Sequence, residues 1–323
     1  MSLLLRLFGL LLLVSALALP LLQVPDRPVE TLVARWAAPP SEFIDLNGQL
    51  LHYRDVGPRN DPAPIVLLHG TSASLHTWEG WSKALRGQRR VISLDLPAFG
   101  LTGPFTGDYL TRWAGQPLYT PEHYARFVLD FLDRLGVPRF VVAGNSLGGD
   151  VAWHIAAAAP QRVTHLVLVD AAGYRFTPDS VPLGWRIARL PVLGQLTEHF
   201  LPRPFVRQGL RAVYGNPAKI DEALIDRYFE LTLRAGNRAA LVQRLQAWSP
   251  EDGVDKVSGV VAPTLILWGG RDHLIPPAFA QRFAADIPGS QSVVFDDLGH
   301  VPHEEDPLRT VAAVKAFLGL APP

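Results

Sequence analysis

The sequence predicts an α/β fold: a mostly parallel sheet flanked by helices, with a helical insertion late in the chain and an N-terminal hydrophobic helix. Short continuous apolar runs such as Ile65-Val66-Leu67-Leu68 and Leu265-Ile266-Leu267-Trp268 alternate with stretches at helical spacing. Unbroken rather than alternating apolar runs suit parallel strands covered on both faces. Between Tyr174 and Ser258 that rhythm stops, leaving helical patterns, prolines and no convincing strand. The third observation is at the start, where Met1 to Val24 carries one charge, Arg6, in an apolar stretch nearly long enough to span a bilayer.

Composition narrows the class. The 323 residues are 48% hydrophobic, ample for one large domain with an insertion or for two modest ones. Lysine plus arginine balance aspartate plus glutamate at 30 each, so no global field draws the chain to nucleic acid. Cysteine is absent, which excludes disulfides and a thiol nucleophile.

Taken in order, residues 1–24 read as a membrane anchor or a signal segment. Ala16-Leu17-Ala18 fits a small-x-small cleavage site, whereas the apolar residues continuing through Leu19, Leu21, Leu22 and Val24 favour an uncleaved anchor. Either reading places the rest of the chain outside the cytoplasm. Residues 25–40 read as a linker, with Pro25, Pro28, Pro39 and Pro40 bracketing a short amphipathic stretch around Leu32, Val33 and Trp36. Residues 41–173 and 259–323 form the core, and 174–258 the helical insertion, which has the character of a cap. Phe43 to Leu46, Asn47-Gly48 and Leu50 to Arg54 spell a hairpin, since Asn-Gly favours the tight primed turn. Strands follow at Ile65–Leu68, Val91–Leu94, Phe140–Ala143, Leu166–Val169, Leu265–Trp268 and Ser292–Phe295. Helices are predicted at 78–85, 122–135, 148–159, 220–234, 239–248, 277–285 and 308–318.

The chemistry centres on Gly144-Asn145-Ser146-Leu147-Gly148, a serine between glycines at a strand-to-helix junction. This G-x-S-x-G pattern marks a nucleophile elbow, in which the glycines let backbone pack around a strained serine. A nucleophilic serine needs a base, an acid to orient the base, and donors for an oxyanion. His300 follows the last strand and is the expected base; His303, a turn further on, is its competitor. Asp272 follows the penultimate strand and gives the chain order Ser, Asp, His. Asp170, at the end of another strand, is the alternative acid. The N–H of Leu147 and that of Thr71, in the loop after Leu68, are the expected oxyanion donors. His69 is expected to brace that loop.

These motifs resemble the α/β-hydrolase superfamily, in the branch whose cap lies between the sixth and seventh strands. The likeness covers roughly residues 43–318. It rests on His69-Gly70, Asp95-Leu96-Pro97-Ala98-Phe99-Gly100, Gly144 to Gly149, Gly270-Arg271-Asp272 and Gly299-His300. It implies a serine hydrolase without cofactor or metal, acting on a small-molecule ester or lipid with a hydrophobic acyl part. Position 146 is serine, not the aspartate of haloalkane dehalogenases and epoxide hydrolases, and Ser72 replaces the proline usual in the latter. Gly-Asn-Ser-x-Gly-Gly also matches carbon–carbon hydrolases of meta-cleavage products. Those tend to carry tryptophan directly after the histidine, where this chain has Val301, so C–C hydrolysis is the second reading. A hydrolase-like ligand-binding protein is the third, because the fold hosts many functions.

Overall fold

The computed structural model describes residues 9, 23–175, 183–190, 194–195, 198–247 and 254–321. Nearly all of the anchor or signal segment therefore lies outside the described residues. Among the described residues, no helix is long and apolar enough to cross a membrane.

One eight-stranded sheet organises the chain, in the order β1-β2-β4-β3-β5-β6-β7-β8. The strands are β1 (Ser41–Leu46), β2 (Gln49–Val56), β3 (Ile65–Leu68), β4 (Val91–Leu94), β5 (Phe140–Asn145), β6 (Val163–Val169), β7 (Thr264–Gly269) and β8 (Gln291–Phe295). The hairpin β1–β2 is antiparallel with Leu46 opposite Gln49, and β2 pairs antiparallel with β4. All remaining pairs are parallel. Asn47 (φ 57°) and Gly48 (φ 81°) give the hairpin its turn, the left-handed pair that a primed turn requires.

The unbroken apolar runs have the expected cause. Successive side chains point to opposite faces, and both faces are covered. Val66, Leu68, Val142, Leu166, Leu168 and Ile266 enter one core cluster with Phe127, Phe131 and Trp153. Their neighbours Ile65, Leu67, Val141, Val167, Leu265 and Leu267 enter a second one with Trp78, Trp81 and Val311.

The helices, in chain order, are α1 (Val29–Trp36), α2 (Glu79–Leu85), α3 (Asp108–Arg112), α4 (Pro121–Arg134), α5 (Leu147–Ala158), α6 (Leu183–Ala188), α7 (Arg203–Val213), α8 (Glu222–Thr232), α9 (Asn237–Ala247), α10 (Ala278–Asp286), α11 (Pro302–Glu305) and α12 (Pro307–Phe317). Helix α4 starts where sequence chemistry says it should. Thr120 accepts from His123 N–H, Pro121 fills the first turn, and Tyr124, Phe127, Val128 and Phe131 form the buried stripe. Helices α6 to α9 occupy the insertion between β6 and β7, and no strand interrupts them among the described residues.

The segment expected as a linker is folded instead. Leu32 of α1 is buried with Leu101 and Leu231. Arg35 pairs with Asp226 and Glu230, and Trp36 Nε1 donates to Glu230. Amphipathicity around Leu32 thus docks α1 on α8 of the insertion. The short α3 was not foreseen either; its Tyr109 joins an aromatic cluster with Phe105, Trp113 and Phe127.

Candidate active site

The carboxyl ends of the central strands bring the predicted residues to one edge of the sheet. Ser146 sits between the end of β5 and the start of α5 with φ 54° and ψ −115°, a conformation costly for a residue with a side chain. Its surroundings hold it there. Ser146 N–H donates to Val169 O at 3.1 Å, and Ser146 O accepts from Asp150 N–H and Ala172 N–H, each at 3.0 Å. Glycine is needed beside it because a Cβ on Gly144 would lie 2.0 Å from Gly148 O. The loop after β3 comes equally close: a Cβ on Gly70 would lie 2.9 Å from Asn145 Oδ1 and 3.1 Å from Ser146 Cβ.

His300 and Asp272 meet as the sequence order anticipated. His300 Nδ1 lies 2.6 Å from Asp272 Oδ2, with both side chains buried. Asp272 Oδ1 accepts from Leu274 N–H (2.7 Å) and Ile275 N–H (2.9 Å), which fixes the carboxylate's rotation. Asp170, the alternative acid, is adjacent but differently employed. Its Oδ1 accepts from Gly269 N–H at 2.9 Å. Burial and the neighbouring Asp272 charge push the Asp170 carboxyl well above the usual range. Asp170, Asp272 and His300 each offer a donor atom within 4.8 Å of the others, close enough in principle for a metal ion. The short His300–Asp272 hydrogen bond instead ties up that face of the ring.

His303 occupies a different environment from His300. Its ring lies 4.0 Å from that of Trp78, and it is fully buried with no partner for either nitrogen among the described residues. Burial drives its pKa well down, so it stays neutral. His69 braces its loop: Nδ1 lies 2.7 Å from Gly70 O, and Nε2 accepts from Leu96 N–H at 2.9 Å. Asp95 anchors the next loop by accepting from Leu75 and Leu101 N–H and by pairing with His52 at 2.7 Å.

A cleft enclosing about 440 Å³, part of it open solvent, lies over Ser146. Thr71 and Leu147 line it, and neither backbone N–H has an acceptor among the described residues. Trp185 of α6, Leu245 of α9, Leu274 and Ile275 supply apolar wall. Arg189 and Arg244 line the same cleft, and no motif in the sequence marks either of them.

Two further positioning residues escaped the sequence. Asn145 Nδ2 donates to Val169 O (3.1 Å) and His300 O (2.9 Å), tying the serine's strand to the histidine's loop. Glu305 accepts from Gly299, Gly215 and Asn216 N–H, and His300 N–H donates to Val213 O. The histidine's loop is therefore held by the end of α7. The acidic run Glu304-Glu305-Asp306 gives no hint of such cradling, since the same Glu-Glu pair on a surface helix reads identically.

This sheet order, with a serine at a strained strand–helix junction and a histidine after the last strand, defines the α/β-hydrolase class. Residues 63–307 match the family model described as the alpha/beta hydrolase fold, and the chain belongs to that family. An uncharacterised protein of Mycobacterium tuberculosis is 29% identical over 316 residues, covering 92% of this chain and 85% of that one. Lipase 1 of Psychrobacter immobilis is 26% identical over 267 residues, with 79% and 76% covered. A 2-hydroxy-6-oxononadienedioate/2-hydroxy-6-oxononatrienedioate hydrolase of Cupriavidus pinatubonensis is 27% identical over 281 residues, with 83% and 90% covered.

Proposed function

We propose that the chain is a carboxylic ester hydrolase that works through an acyl-enzyme on Ser146. The observation that carries this reading is the cleft wall itself, where Ser146 stands beside the unengaged N–H groups of Thr71 and Leu147. In the proposed reaction Ser146 Oγ attacks the ester carbonyl while His300 Nε2 takes the hydroxyl proton. Asp272 fixes the ring through Nδ1 and stabilises the imidazolium. The carbonyl oxygen becomes an oxyanion facing the two N–H groups at the N-terminus of α5 and the Thr71 loop. Collapse breaks the C–O bond, and His300 returns the proton to the departing alcohol. Water, activated by the same histidine, then frees the acid and restores Ser146.

The lipase and the 2-hydroxy-6-oxononadienedioate hydrolase are 26% and 27% identical to this chain, so likeness does not separate the ester reading from the C–C reading. Val301 favours the ester reading. It packs with Leu210, Tyr214 and Ile225 where C–C hydrolases tend to place tryptophan after the histidine. In this reading the insertion serves as a cap over the acyl site, and the apolar N-terminal segment acts as an anchor or export signal for an enzyme working outside the cytoplasm. A panel of p-nitrophenyl esters, triglycerides and a vinylogous diketone tests the assignment. Ester turnover that disappears in Ser146→Ala is expected; turnover of the diketone alone overturns it.

A further inference from the structure

The charge above the serine bears on the substrate. Helix α9 turns Asn237, Ala240 and Arg244 inward at helical spacing. Arg244 is only 6% exposed, its Nε is buried without an acceptor, and its guanidinium has no ion pair or hydrogen bond among the described residues. By contrast, Arg227 pairs with Glu304, Arg238 with Asp26, and the guanidinium of Arg234 donates to the carbonyls of Thr102 and Ala235. Asp150 acts on Arg244 through charge but makes no ion pair with it among the described residues; its Oδ1 lies 3.2 Å from His154 Nδ1 instead. A guanidinium stays charged in proteins, and burying one without a counter-ion is costly. Such a cation is retained where a ligand supplies the missing anion. Arg244 lines the cleft that holds Ser146, and Arg189 lines it too.

We propose that Arg244 recognises an oxyanion on the substrate, so that the preferred ester carries a carboxylate or a phosphate besides its scissile bond. This rests on the ester reading of Ser146 and deepens it. Apolar Trp185, Leu245, Leu274 and Ile275 would hold the chain between the two groups, and the planar guanidinium fork matches either anion in bidentate fashion.

The test uses the full chain and p-nitrophenyl esters in matched sets. Hexanoate, octanoate and decanoate esters are compared with esters of the same length ending in a carboxylate or a phosphonate. Wild type is expected to favour at least one anionic set by about tenfold or more in kcat/KM, chiefly through KM, and the better set identifies the anion. Arg244→Gln should lower the anionic-to-neutral ratio by about tenfold, with Arg244→Lys restoring part of it. No anionic preference in wild type, or an unchanged ratio in Arg244→Gln, overturns the proposal. Should the variant fail to fold, competitive inhibition of wild type by suberate but not by suberamide supports it, and equal inhibition overturns it. Failure of every ester together with an unreactive Ser146 refutes the ester reading itself, a result distinct from esters that turn over without charge preference.

Discussion

Asp272 divides its two oxygens between two tasks: Oδ2 meets His300 Nδ1 at 2.6 Å, while Oδ1 is fixed by the N–H groups of Leu274 and Ile275. Asp170 stands behind it, and burial and the neighbouring Asp272 charge push its carboxyl well above the usual range. Two neighbouring carboxyls thus take different partners, one the histidine ring and the other the backbone N–H of Gly269.

Substituting each acid by its amide separates the roles. Asp272→Asn should lower kcat by about 10³- to 10⁴-fold, because the amide favours the wrong imidazole tautomer. Asp170→Asn mimics the protonated acid and keeps the acceptor for Gly269 N–H, so its kcat should stay within about tenfold of wild type. Steady-state rates on one p-nitrophenyl ester decide the matter; the reverse ranking makes Asp170 the orienting acid.

A charge cluster where α5 meets α4, with His154 and Asp150 buried and Glu122 at the surface, gives stability a pH dependence. Burial opposes a charge on His154, but Asp150 and Glu122 beside it outweigh that and raise its pKa to about 9. A raised folded-state pKa contributes stability that is complete below the unfolded value near 6.5 and lost as pH rises through 9. Relative to wild type, His154→Gln should be less stable at pH 6 by up to about 3 kcal/mol, and the gap should close towards alkaline pH. Urea unfolding across that range checks this, and a gap independent of pH removes His154 as its source.

Helix α1 offers a test of packing. Leu32 is 1% exposed among Leu101 and Leu231. Leu32→Ala should cost about 2–4 kcal/mol, the range for emptying a buried leucine site. The exposed Arg35 pairs should contribute little by comparison, since Arg35→Ala removes only screened contacts. Chemical denaturation of both variants would show it; equal small losses mean that α1 is not integral to the fold.

Legibility followed the range of the signal. Strand runs, the Asn47-Gly48 turn and the Gly144-x-Ser146-x-Gly148 elbow are local, so backbone preference and apolar patterning reveal them directly. The pairing of Asp272 with His300 was legible only through chain order. Arg244 was hidden because an arginine on a mostly polar helix reads as surface. The one clue was its place on the stripe with Asn237 and Ala240. Helix α1 reads as a linker because prolines flank it on both sides, while Leu32's partners, Leu101 and Leu231, lie far along the chain.

The central claim is that Ser146 is the nucleophile, and covalent labelling tests it most directly. After treatment with a fluorophosphonate, peptide mass spectrometry should place one phosphonyl adduct on Ser146, with none in Ser146→Ala of unchanged circular dichroism. An unmodified Ser146 in protein that turns over esters, or an adduct at another residue, contradicts it.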